Sequence, residues 1–351
     1  MESSIASLRP LSLGEILDQA VRLYRRNFFT FVGILALVYV PLMLIQTGLT
    51  YLSTAGIDPT PSSGDPFDVL TPTYWMGVVG LLGVALAQFV LVQGVATAAI
   101  TRSVADNYLG QPVEISDAYK KVGSSWTRLL GALFLMGLLA LGVLIAAIIP
   151  CVGWFIGPGA FFFLAVAVGP LIAPVVMIEK RGGGDALRRA WDLARRRFWW
   201  LLGFMFLLYL LAQIVITGPT LVVNFIATTM LGPSDPFNPN LVTTIVNAFI
   251  QLIGALLYLP LQLTASTLVY FDLRVRTEGF DLALLSLQVT GEQPSLETIH
   301  ELPEQQPTGK AVEWSDVGNF AILTVVGGGI YFMFIAILAV IGVAFTTASG
   351  F

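Results

Sequence analysis

The chain has 351 residues, of which 56% are hydrophobic and only 11% charged. With a mean hydropathy of +0.81, it has too little polar surface to face water on all sides, which excludes an ordinary soluble globule. A single cysteine, Cys151, excludes an internal disulfide, a single histidine, His300, leaves little for soft-metal binding, and a net charge of -4 offers no basic surface for nucleic acid.

In chain order, Ser12-Leu13-Gly14-Glu15 reads as a capping box, with Leu11 and Ile16 placed as a hydrophobic staple, so a helix is expected from about Leu13. Arg22, Arg25 and Arg26 follow, and then come seven apolar runs: 28–49, 74–100, 129–149, 154–178, 199–217, 241–271 and 318–346. Each approaches or exceeds the roughly 20 residues that a helix needs to cross a bilayer. No small-residue cleavage site follows the first run, so the N-terminal segment is expected to be retained.

All 18 Lys and Arg residues fall in the N-terminal segment or in alternate connections, 102–128, 179–197 and 272–317. The opposite connections carry only acids: Asp58, Asp65, Asp68 and Asp235. The positive-inside rule therefore places the N-terminus in the cytoplasm and, after seven spans, Phe351 outside.

Residues 17–67 recur without a gap at 187–237, with identities that include Arg25/Arg195, Arg26/Arg196, Phe28/Phe198, Gly33/Gly203 and Asp65-Pro66-Phe67/Asp235-Pro236-Phe237. A weaker third copy aligns Ala118 with Ala20 and Ala190, and Trp126 with Phe28 and Phe198. In each copy the apolar positions form one face of a helix and the polar residues the other, which predicts an amphipathic helix at the membrane surface. The expected fold is an all-α polytopic membrane protein of three tandem units. Each unit has a cytoplasmic interfacial helix plus a transmembrane pair, in parallel orientation, so that a pseudo-threefold bundle is one arrangement of them. The units run from about 11 to 110, 111 to 181 and 182 to 285 within a membrane domain spanning 1–285. A polar, disordered linker at 286–316 and a C-terminal transmembrane helix at 317–351 follow.

Arg22, Arg25, Arg26, Arg195, Arg196 and Arg197, next to Phe28 and Trp199-Trp200, suit an inner membrane boundary. They are candidate contacts for lipid headgroups, anionic ones among them. No Asp, Glu, Lys, Arg or His lies at the centre of a predicted span, which argues against proton relay. The mild polar set Gln88, Gln93, Gln213, Asn247, Gln251 and Gln262 suits hydrogen bonding between helices; Gln88, Gln93, Gln251 and Gln262 are the candidates for lining a cavity. Pro41, Pro170, Pro174, Pro219 and Pro260 are expected to kink or break helices, and Gly157-Pro158-Gly159 to lie near an outer turn. Gly182-Gly183-Gly184 lacks the strand and the Lys-Ser or Lys-Thr pair of a phosphate loop and reads as a hinge. No cofactor, metal or catalytic constellation is expected.

The opening Leu11-Ser-Leu-Gly-Glu-Ile-Leu-Asp18, the central Ala186-Leu-Arg-Arg-Ala-Trp191 and Tyr270-Phe-Asp-Leu-Arg-Val-Arg-Thr-Glu-Gly279 resemble the bacterial family of glycerophosphoryl diester phosphodiesterase membrane-domain proteins, over residues 11 to about 285. The resemblance implies a bacterial plasma-membrane protein. It implies no phosphodiesterase activity, because the two histidines and acidic metal ligands of the catalytic barrel have no counterpart here. The first expectation for function is a non-enzymatic scaffold or accessory subunit that meets membrane lipids and a protein partner or second copy. The alternative is a permease or lipid-handling protein with a pathway through the bundle. Fusion reporters at residues 60 and 300 test the topology: residue 60 should report outside and residue 300 inside, and a cytoplasmic residue 60 would overturn the orientation.

Overall fold

The computed structural model describes residues 11–56, 71–111, 114–150, 152–231, 241–289, 296, 310, 312–329 and 333. Asp58, Asp65, Asp68, Asp235, Cys151, His300 and nearly all of the seventh run beyond 329 lie outside the described residues. Six helical rods are long and apolar enough to cross a membrane: Phe28–Thr54, Pro72–Tyr108, Ser125–Ala146, Gly153–Glu179, Phe198–Met230 and Leu241–Glu278. The chain is a multi-pass membrane protein.

The first element, α1 (Leu13–Arg26), starts as its sequence dictates. The Ser12 side chain accepts from the Glu15 N–H and the Glu15 carboxylate accepts from the Ser12 N–H, so both halves of the capping box are present. The first hairpin is α2 (Phe28–Ala55) with α3 (Pro72–Gln88), continued through a π-helical segment, Phe89–Ala96, into α4 (Thr97–Tyr108). After α5 (Ile115–Val122), the second hairpin is α6 (Ser125–Ala146) with α7 (Val152–Phe163), a π segment Leu164–Val168 and α8 (Gly169–Glu179). After α9 (Gly183–Arg196), the third is α10 (Phe198–Ala212), a π segment Gln213–Thr217 and α11 (Gly218–Leu231), returning as α12 (Leu241–Glu278). Then come α13 (Phe280–Val289) and a last helix, α14, over 314–329.

The second, fifth and sixth rods run well past their expected ends. Gly218-Pro219 was the expected stop of the fifth, yet the helix passes through it. Proline lacks an N–H and its ring crowds the carbonyl four residues back. For Pro219 and Pro170 that carbonyl, on Val215 and Val166, lies inside a π segment, whose wider turn moves it aside. Pro41, Pro174 and Pro260 sit inside α2, α8 and α12, and Pro158 is inside α7 rather than at a turn.

The halves of the rods nearer the Lys and Arg residues, here the basic end, pack tightly. There α4, α8 and α12 all touch one another, and α2 and α6 pack outside them, as does α10 against α12. At the far end, among the described residues, α3 packs mainly on α2, α7 on α6 and α11 on α12, each within its own hairpin. The three hairpins therefore splay apart beyond the π segments.

The helix that leads into each hairpin lies at the basic end against protein. Ile16, Ala20 and Tyr24 of α1 are buried, with α1 packed on α12. Ala20, Ala118 and Ala190, which align in the sequence, are 0%, 3% and 0% exposed, so the same small residue lets each helix approach closely. These apolar faces are therefore turned mostly toward the bundle and not toward lipid, with Val21 of α1 and Ile115 of α5 left exposed. In α9 the polar side is covered too, since Arg189 and Asp192 are 0% and 1% exposed.

The predicted linker begins as helix, because residues 286–289 belong to α13, and its Leu296 is buried. The last helix docks through Phe320, which meets Phe163, Trp191 and Phe198 at ring-centroid distances of 5.8, 5.9 and 5.9 Å. Gly159 permits this: its N–H donates to the Thr324 hydroxyl (2.8 Å), and a Cβ on it would collide with the Phe320 carbonyl oxygen. Gly159→Val should therefore release α14 while leaving the six rods in place. A cysteine pair across the α7–α14 contact should lose its disulfide yield in the variant; unchanged yield would refute the close-approach role of Gly159.

Candidate functional site

Each inner rod carries, at or near its basic end, a carboxylate that holds one of the lead-in segments. Asp106, ending α4, accepts from Lys121 of α5 (3.3 Å). Glu179, ending α8, accepts from Arg189 of α9 at 3.0 Å through both oxygens. Asp272, near the end of α12, accepts from the Leu11 N–H (2.8 Å) ahead of α1, and Arg276, bonded to Asp272 at 2.7 Å, donates to the Leu11 carbonyl. Further bonds reach the outer rods: the Tyr119 hydroxyl of α5 donates to the Ile34 carbonyl of α2 (2.5 Å), and Arg128 of α6 to the carbonyl of Lys180 after α8 (2.8 Å).

The Glu179 seam is the most elaborate. Its carboxylate also accepts from the Tyr270 hydroxyl (2.7 Å) and pairs with Arg181 (3.0 Å). Arg189 reaches on to Glu278, which is bonded to Arg274 (3.1 Å), and Arg274 donates to the Tyr270 hydroxyl (3.2 Å) while its guanidinium lies over the Phe280 ring (4.4 Å). Glu179 and Arg189 are 2% and 0% exposed. Burial alone would lower the Arg189 pKa, but its hydrogen bond to Glu278 and the charges of Glu179 and Glu278 outweigh burial and raise it, so the guanidinium stays charged. Three cations and two carboxylates thus seal the basic end, bonded to one another in place of water.

Toward the far end from this seal lies a cavity of about 270 Å³ where the packed and splayed halves meet. All three inner rods wall it, largely with aliphatic side chains, and its polar residues are Gln93, Thr97, Gln262 and Ser266. Gln93 is exposed and marks an opening, Thr97 and Gln262 are half-buried, and Ser266 is buried with its hydroxyl on the Gln262 carbonyl (2.8 Å). Tyr270 of the seal follows Ser266 by one helical turn, about 6 Å along α12. The π segments Phe89–Ala96 and Leu164–Val168 contribute Gln93 and Ala165 to the wall, and Gly169-Pro170 follows the second of them.

Of the four amides expected to line a cavity, Gln93 and Gln262 do so. Gln88 instead donates to Gln46 (2.6 Å) across the first hairpin, and Gln251 is exposed on the far half of α12. Asn247 likewise donates to Asn224 across the third hairpin (2.8 Å), while Gln213 accepts from Thr217 within its own helix.

The basic residues divide in the same way. Arg22, Arg25 and Arg26 are exposed on the side of α1 turned away from α12. Arg195, expected at headgroups, is engaged inside the protein, pairing with Asp192 (3.1 Å), Glu313 (3.2 Å) and Asp316 (3.6 Å) and so tying α9 to the start of α14. Arg196 approaches Asp192 at 3.9 Å, and the Arg197 guanidinium sits 5.2 Å from the Trp200 ring centre. Among the described residues no group of three His, Cys, Asp or Glu side chains is placed to hold a metal ion.

No protein-family model, curated protein or solved structure matches the chain.

The seal escapes the sequence reading because Arg189 falls on the polar side of an amphipathic helix and Arg274 among the bases that set membrane topology. A signal was present: Tyr270, Arg274 and Glu278 recur every four residues on one face of α12, and Asp272 with Arg276 on another, the spacing of side chains that meet along a helix. Glu179→Gln removes the buried charge that Arg181, Arg189 and Tyr270 share, leaving Glu278 as the carboxylate paired with Arg189, and should lower stability by about 3–5 kcal/mol, the scale for breaking a buried ion pair. Thermal unfolding of the purified protein in detergent reads this, and a melting temperature equal to that of the parent would refute the seal.

Proposed function

We propose that the chain is a lipid-handling or permease-type binding protein of the bacterial plasma membrane, with its basic end in the cytoplasm. It takes an amphiphilic small molecule into the cavity between the three hairpins. The observation that carries this reading is the cavity itself, which opens at Gln93 above a closed seal. Aliphatic walls receive an apolar body, while Gln93, Thr97, Gln262 and Ser266 offer donors and acceptors to an uncharged polar group. The described spans place no charge in the wall, which favours a neutral or peripherally charged ligand over an ion. The three hairpins act as equivalent arms of a repeat, and the π segments at their junctions are the places where the rods can bend, since π turns carry weaker, easily rearranged bonding.

Chemistry on the ligand is not part of this reading, because general acid-base work needs a titratable group in the cavity and the wall supplies none. The resemblance to the phosphodiesterase-associated membrane domain supports a membrane role of this kind and not phosphodiester cleavage. A scaffold role is favoured by a separate observation, the exposure of Arg22, Arg25 and Arg26 on the outer side of α1, where an acidic partner or anionic lipid would meet them.

The full chain in nanodiscs should bind a fluorescent single-chain amphiphile with a hydroxylated headgroup saturably, one per chain. Ala173→Phe, which fills the cavity, should abolish the saturable phase. Gln262→Leu should weaken binding about three- to tenfold, the range for one lost hydrogen bond. Saturable binding that survives Ala173→Phe in a folded protein would overturn the proposal.

A further inference from the structure

Between the central cavity and the basic end the interior is largely aliphatic, but one stripe through it is polar. Gln262, Ser266, Tyr270, Arg274 and Glu278 recur every four residues along α12, the first two in the cavity wall and the last three in the seal. At 1.5 Å per residue the stripe is about 24 Å long. On α4, Thr101 lies one turn beyond Thr97 of the cavity wall and seven residues before Tyr108, whose ring stacks on Phe271 of α12 at 5.1 Å. Those spacings put Thr97, Thr101 and Tyr108 on one side of α4, the side turned to α12. Thr264, Ser266 and Thr267 of α12 each return their hydroxyl to the carbonyl four residues back. Thr101 does not: it is 0% exposed, and its hydroxyl has no hydrogen-bonding partner among the described residues. An unbonded buried hydroxyl lowers stability, and valine would fill the same space without that loss. A polar group kept there without a protein partner suits an occupant that is present only part of the time.

We infer that the amphiphile held in the cavity crosses to the basic end along this stripe, with Thr101 and Tyr270 as its next polar contacts and the seal as a closed gate. Such a route presupposes the binding site proposed above and gives it an exit. The polar group passes from Gln262 and Ser266 to Thr101 and the Tyr270 hydroxyl in steps of about 6 Å, one helical turn. Its apolar body stays against aliphatic walls, so no step strands a polar group in hydrocarbon. In the closed state Tyr270 is occupied by Glu179 and Arg274, and Glu179 is held by Arg189 of α9. Opening therefore requires α9 to draw Arg189 away. The connection from α8 to α9 permits this, since Lys180 and Gly183, at φ 54° and 57°, bracket it in left-handed geometry and Gly182 and Gly183 give it freedom to swivel. Passage runs down the amphiphile's own gradient and needs no coupled ion.

The test uses the full chain in sealed proteoliposomes carrying the fluorescent single-chain amphiphile in both leaflets, with dithionite added outside. Quenching should go to completion with the protein and stop near half without it. Thr101→Val should keep or raise the melting temperature yet slow the exchange about three- to tenfold, the effect of one hydrogen bond lost from the path. A Thr101 that serves only packing would leave the exchange rate unchanged. Tyr270→Phe, which removes one bond of the seal, should speed exchange about threefold. Saturable binding in nanodiscs is read on the same samples. If the parent binds no amphiphile, the cavity reading fails and the path with it. If it binds but exchange matches protein-free vesicles, the path alone is overturned. Unchanged exchange in folded Thr101→Val would overturn it too.

Discussion

Three carboxylates, Asp106, Glu179 and Asp272, each stand at or near the basic end of an inner rod and each grip a segment that leads into a hairpin, Asp106 and Glu179 the following one and Asp272 the first. Hydrocarbon gives helices little reason to prefer one neighbour over another, because lipid tails are as apolar as leucine. Directional contacts at the membrane boundary therefore have a disproportionate effect on which faces meet. A bonded pair with both partners present contributes modest net stability, yet a misplaced one leaves a buried charge, so these bonds act mainly on register. Inside this frame α4, α8 and α12 pack on one another, and α2, α6 and α10 pack against them.

The same arrangement explains why the two ends differ. At the basic end every inner rod is tied to a neighbour, and the interior there is filled by residues such as Ile100, Val175 and Leu268 that are at most 1% exposed. At the far end the described hairpins are joined internally, by Gln88 with Gln46 and by Asn247 with Asn224, and not to one another. Between these regimes the backbone changes from α to π geometry in three rods, and there the cavity forms. A bundle that is tightly packed at one end and divided at the other has its cavity where the two meet.

Much of this was legible in the sequence and some of it was not, for identifiable reasons. The capping box at Ser12 and Glu15 is a local motif, and its geometry follows from adjacent residues. The rods followed from composition, although Pro219 misled, because whether a proline stops a helix depends on the geometry of the turn before it. Gln93 and Gln262 were separable from Gln88 and Gln251 only in three dimensions, since all four are amides in apolar runs and the difference is which neighbour each faces. Arg189 and Asp192 looked like members of a wet face because an amphipathic pattern shows that a helix has two sides, not what covers the second one. Here α12 and α14 cover it.

The longest of the grips spans 261 residues, from Leu11 to Asp272. At ribosomal rates of about 5–20 residues per second, roughly 10–50 s pass between the synthesis of α1 and that of its partner. During that interval the apolar face of Ile16, Ala20 and Tyr24 has no protein to cover it, and its natural resting place is the membrane surface, as expected of any helix with one greasy side. Among the described residues, the first helix made thus waits for the last of the six rods. Its amphipathic pattern thus serves two stages in succession, parking the nascent N-terminal segment on the bilayer and then, when the sixth rod arrives, closing the ring.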